Sequence, residues 1–168
     1  MEKHEIVAEL AKLGLGAQDG SVLLLVPMAL VAWADGQADI EEMDAIAAKH
    51  CTPGGRTGGK GGCTLRLSET ARKFYYRDFV YAEPDHKMAA HLIVLLRHML
   101  SAAPKEKADE WRVLVTQTCL EVARSSGGFL GMATISARER EVIEGLVARL
   151  GLSRTPEAHA LLDEAGVA

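Results

Sequence analysis

Apolar residues recur at helical spacing along almost the whole chain. Ile6, Val7, Leu10 and Leu13 share one face of a first helix, which Gly14 can end. A second is predicted from near Asp19 or Ser21 to about Ala34. It is apolar on every side, the pattern of a helix enclosed at the centre of a bundle. Met43, Ile46, Ala47 and His50 keep the spacing on a third. Further helices are predicted at about 66–82 and 86–102, with Pro84 between them, and from Pro104 to about Ser125. Two more, at about 137–150 and 156–165, complete the chain. Gly151 suits the end of the first, and Thr155-Pro156 the N-cap and first turn of the second.

One stretch breaks the pattern. TPGGRTGGKGG, residues 52–62, is mostly glycine, and ordering it would bury no side chains in return. It is expected to be a mobile, dispensable loop. It divides a single domain into two lobes, about 1–50 and 64–168.

The lobes echo one another. LVAWADG (30–36) lines up with EVARSSG (121–127), and ADIEEMDAI (38–46) with ISAREREVI (135–143). In each copy an apolar helix runs into a turn, then a capping residue (Asp39 or Ser136), Glu three positions later (Glu42 or Glu139) and Ile at the seventh (Ile46 or Ile143). The expected fold is an all-α, pseudo-twofold bundle of about seven to eight helices built from two related lobes.

Composition narrows the partners. At 168 residues, with 48% hydrophobic and 25% charged positions, the chain is an ordinary globular domain. A net charge of −4 gives no general attraction to nucleic acid, and none is expected as a partner. The longest uncharged apolar run, 22–34, falls short of the roughly 20 residues a membrane span needs and contains Pro27. The opening MEKHEIVAEL has no signal-sequence pattern, and Cys51, Cys63 and Cys119 have no disulfide-framework spacing. A cytoplasmic setting is the expectation.

Several motifs invite chemistry. VAWADGQADIEEMDAI, 31–46, resembles the back half of a calcium loop, but the first and third ligand positions fall on Val31 and Trp33, which offer no side-chain oxygen. Asp39-x-x-Glu42 also fits a capping box, and a helix start favours carboxylates over a cation. GGRTGGKG (54–61) imitates a phosphate loop but lacks its hydroxyl residue and preceding strand. Glu83-Pro84-Asp85-His86 spells a di-iron ExxH that Pro84 interrupts. Phe74, Tyr75, Tyr76, Phe79 and Tyr81 crowd among Arg72, Lys73 and Arg77. They fit either core filling or a partner-binding surface centred on Arg72, Tyr75, Tyr76 and Arg77.

The run Ala32-Trp33-Ala34-Asp35-Gly36 with Asp39-x-x-Glu42-x-x-x-Ile46 resembles the TerB family of bacterial tellurite-resistance clusters. So does its echo in Val122-Ala123, Ile135-Ser136-x-x-Glu139-x-x-x-Ile143 and Leu150-Gly151-Leu152. The resemblance implies a bundle of about seven helices, divalent-metal binding by clustered acidic residues, and a stress-resistance role exercised through other proteins. Matched onto this chain, the metal candidates are Asp35, Asp39 and Glu42, for calcium, magnesium or manganese. Ser126 and Ser136 stand where the first lobe has acids, which argues against a second metal site.

Three functions follow. The first is a TerB-like module binding a partner protein, with or without a divalent cation. The second is a metal-independent scaffold docking through the basic-aromatic helix 66–82. The third is a metal-assisted hydrolase using the same carboxylates and a nearby His. No catalytic constellation is evident, so an enzyme is not expected. A homo-oligomer is compatible with all three.

Overall fold

In the computed structural model, residues 1–50, 65–126 and 134–167 are described. The glycine-rich segment, its phosphate-loop imitation, Cys51 and Cys63 lie outside the described residues. Among those described, the chain forms eight α-helices and no strand, an all-α bundle. These are α1 (Lys3–Lys12), α2 (Val26–Ala32), α3 (Ile40–His50), α4 (Glu69–Tyr75), α5 (His86–Ala102), α6 (Lys105–Ser126), α7 (Ala137–Leu150) and α8 (Pro156–Glu164). Their ends follow local chemistry. Asp85 caps α5 and Ser136 caps α7 through their side chains, and Gly151 closes α7 at φ +62°, a conformation that favours glycine.

Two elements differ from the spacing-based expectation. The apolar helix expected from Asp19 or Ser21 to Ala34 is a 3₁₀ helix, Ala17–Leu25, followed by the separate α2. Pro27 explains the change. It has no N–H to donate to Leu23, and in an α-helix its ring would crowd that carbonyl. The Val26 N–H bonds to the Leu23 carbonyl instead, and α2 begins with Pro27 in its first turn, where no donor is needed. The helix expected over 66–82 starts at Glu69, behind a Ser68 cap that accepts the Ala71 N–H at 3.0 Å. It continues past Tyr75 as a π turn, Tyr76–Val80, closed by the Tyr81 N–H on the Tyr76 carbonyl at 2.9 Å.

The core forms around the apolar run. Val22 to Val26, Met28, Ala29 and Val31 have no exposed surface at all. α2 packs chiefly on α6 and also touches α5 and α7, while α3 and α8 lie on α6. The 3₁₀ helix is covered by α1, α4, α5 and α6. Among the described residues, no single helix is long and apolar enough to cross a membrane.

Polar ties fix these layers. Asp19 is buried, with Oδ2 accepting the Gly16 N–H at 2.7 Å and Oδ1 the Ser68 hydroxyl at 2.6 Å. One carboxylate therefore starts the 3₁₀ helix and holds the cap of α4. Farther round, Glu121 on α6 takes Lys49 at 2.7 Å and His50 at 3.2 Å, clasping the end of α3. Partial burial works to raise the Glu121 pKa, but Lys49 and His50 together hold it below the usual carboxylate range.

Asp19→Ala orphans a partly buried amide and a partly buried hydroxyl and empties a buried site, so it should cost about 1–3 kcal/mol in urea unfolding. A loss under about 0.5 kcal/mol, typical of a surface change, would contradict the clamp. The Glu121 clasp carries a sign. A depressed folded-state pKa contributes stability above the unfolded value of about 4.3, and that contribution disappears as pH falls through the folded value. Glu121→Gln should therefore be roughly 0.5–1 kcal/mol less stable than the parent near pH 6 and converge with it in acid. A constant gap from pH 6 to pH 3 would refute this.

Candidate functional site

The acidic turn lies between α2 and α3. After Ala32 the chain turns through Trp33 to Gly36, and Gly36 sits at φ +80°, which a side chain would strain. Asp39 stands directly ahead of α3, and its Oδ1 accepts the Glu42 N–H at 3.1 Å. That is the Asp39 half of the capping box the spacing suggested. Asp35 reaches across the bundle, and its Oδ2 accepts the Ser136 hydroxyl at 3.1 Å. Ser136 in turn caps α7. Its Oγ accepts the Glu139 N–H at 3.2 Å and its own N–H donates to Glu139 Oε2 at 2.8 Å. The two turns that the repeat aligns are thus in contact.

Asp35 and Asp39 are exposed and Glu42 is half-buried. Asp35 and Asp39 each already hold a structural partner. Among the described residues, no group of three or more His, Cys, Asp or Glu is placed to hold a metal ion. Other candidates also have local roles. Asp85 of the interrupted ExxH caps α5 by accepting the Met88 N–H at 2.8 Å. His91 pairs with Glu9 at 3.2 Å. Cys119 is fully enclosed, and burial pushes its thiol pKa upward, away from reactivity.

A larger feature lies on the other side of α3. Its first two turns and the α4–π element enclose a groove of about 1190 Å³. Leu67 and Tyr76 line it with Ile40 and Tyr81, which are 42% and 65% exposed. The charges are segregated. The α3 wall carries Glu41 and Asp44, and the opposite wall carries Arg72, Lys73 and Arg77 with Glu69. Lys73 pairs with Glu69 at 2.7 Å and Arg77 with Asp78 at 2.5 Å. The Tyr76 hydroxyl donates to Asp44 and ties the walls together. Burial and the Asp44 carboxylate push the Tyr76 phenol up to about 12, so it stays a donor.

The basic-aromatic helix is therefore partly surface and partly core. Arg72, Tyr76 and Arg77 reach the groove. Tyr75 does not, and its expected role as a partner-binding residue is corrected. It has no exposed surface, stacks on Phe79 at 5.9 Å between centroids, and donates its hydroxyl to the Leu25 carbonyl at 3.3 Å. The π turn accounts for this split. Its extra residue per turn lets Phe79 and Val80 stay buried while Tyr76 and Tyr81 meet outside at 5.5 Å. Ile40, which the spacing did not single out, is exposed, whereas Met43 and Ala47 on the predicted face are buried.

A cleft of about 650 Å³ lies between the starts of α6 and α8. Its central Asp109 is held by Lys105 at 2.5 Å and by Thr155 and Arg112 at 3.0 Å, which keep its pKa below the usual range.

No protein-family model matches the chain, and no curated protein or solved structure matches it either.

The cap and the cation make different demands on Asp39. As a cap, Asp39→Asn should change stability little, whereas Asp39→Ala should cost roughly 0.5–2 kcal/mol. A bound cation would add about 2.7 kcal/mol at a hundred times its Kd. The expected outcome is a thermal melt indifferent to millimolar calcium, magnesium or manganese and to chelator. A cation-dependent rise that Asp39→Asn diminishes would overturn the cap-only account.

Proposed function

We propose that this chain is a non-catalytic helical interaction module that holds a partner protein in the groove between α3 and the α4–π element. In this reading the acidic turn has the task of starting α3 and joining it to α7. One observation carries the proposal. Among the described residues, only four large apolar side chains are exposed, and two of them, Ile40 and Tyr81, border this one groove. Water-exposed aromatic and aliphatic anchors beside arginines are the composition of protein-binding hot spots. The π turn that presents Tyr76 and Tyr81 is also of a kind frequent at functional sites.

The resemblance to the TerB family supports the same class of activity, a stress-resistance protein that works by assembling with others. The two repeated helix pairs pack on one another. α2 rests on α6, α3 lies against α6, and α7 lies against α2, so the first helix of each repeated pair (α2 of α2–α3, α6 of α6–α7) contacts both helices of the other pair. The Asp35–Ser136 hydrogen bond links the two equivalent turns.

Site-specific photocrosslinking tests the reading. With benzoylphenylalanine replacing Tyr81, irradiation in living cells should yield a discrete protein adduct. The same probe at the exposed Val94, outside the groove, should yield none, and Ile40→Asp should abolish the adduct at 81. Equal labelling from both positions, or none from 81, would remove the groove as a docking site.

A further inference from the structure

We infer that the groove's occupant is a second copy of this chain, arranged about a twofold axis that sets the α3 wall of each protomer against the α4 wall of its partner. This rests on the reading of the groove as an interface and specifies what fills it.

Charge order is the reason. A uniformly acidic partner would be repelled by Glu41 and Asp44, and a uniformly basic one by Arg72, the basic group of its wall that no carboxylate there pairs. The occupant must carry both signs, in the opposite order across an apolar centre. A twofold interface requires a patch that is its own complement. Here, rotation about an axis over the groove brings an acidic wall to a basic wall twice over. The apolar parts follow the same rule. Ile40 and Tyr81 project from the groove, and Leu67 and Tyr76 line it, so each protomer offers both apolar projections and a place to receive them.

Two charges single themselves out. Among the described residues, Glu41 and Arg72 are the groove's charged side chains with no ion pair or side-chain hydrogen bond of their own. Glu69 and Lys73 pair with each other, Arg77 pairs with Asp78, and Asp44 accepts from Tyr76. Glu41 and Arg72 stand on opposite walls. Across the twofold axis they become two equivalent Glu41–Arg72 pairs between protomers.

Sedimentation equilibrium on the full chain, from about 1 to 300 μM, tests this. A reversible dimer of the 18.1 kDa chain is expected, with a Kd in roughly the micromolar range typical of small interfaces. Glu41→Lys and Arg72→Glu should each raise Kd at least tenfold. The double variant carrying both should return it to within about threefold of the parent, because both swapped pairs re-form. Tyr81→Asp should abolish the dimer while circular dichroism melts stay near the parent's. A monomer at every concentration overturns the inference. So does a dimer indifferent to these substitutions, or one that the double variant fails to restore. Failure here leaves the groove as an interface for another protein. The crosslinking experiment separates the two, because an adduct at twice the chain mass means a second copy and any other mass a different partner.

Discussion

Everything in this bundle is arranged around a run of chain that has no side for water. From Val22 to Val31 the residues with no exposed surface include every aliphatic position except Leu30. Fully burying one such side chain is worth roughly 1.5–3 kcal/mol, so the run can be satisfied only by enclosure. The 3₁₀ helix and α2 therefore take the centre, and α1, α4, α5, α6 and α7 cover them. Pro27 sits inside this run and breaks its helical ladder, yet the break falls where a new helix can start and no buried donor is lost.

Enclosing an apolar run leaves its neighbours' polar groups to be satisfied locally, and a few long-range hydrogen bonds do so. Asp19 satisfies Gly16 and Ser68, the Tyr75 hydroxyl reaches the Leu25 carbonyl, and the Trp33 indole donates to the Phe79 carbonyl at 2.9 Å. All three ties converge on α4 and its π continuation. That element is anchored on its inner face, so its outer face can present Tyr76, Arg77 and Tyr81 in a fixed arrangement. A rigid display of aromatic and basic groups loses little entropy when a partner arrives.

The acidic turn and the groove sit at the same end of α3 but have different demands on them. The turn's carboxylates are engaged, Asp39 by the helix it starts and Asp35 by the cap of α7. The groove's apolar rims stay largely exposed, Ile40 at 42% and Tyr81 at 65%. Free apolar surface flanked by unpaired charge supports association, whereas carboxylates already holding hydrogen bonds support architecture. That contrast is the basis for proposing the groove as a docking surface.

Local pattern was enough to determine the helical class, the position of most helices and the buried central run, because helical spacing, capping residues and breakers act within a few positions of one another. Asp39-x-x-Glu42, Ser136-x-x-Glu139, Thr155-Pro156 and Gly151 were readable for the same reason. The π turn was not, since it depends on which aromatics the neighbouring layers accept, and with it went the distinction between the buried Tyr75 and the partly buried Tyr76. Nor was the split of the central run, although Pro27 was its visible cause. The groove was beyond reach altogether. Its walls meet through Tyr76 and Asp44, 32 positions apart, and the acidic turn finds Ser136 at 101 positions. Contacts over such distances are set by how helices pack, and packing is decided by the whole chain at once.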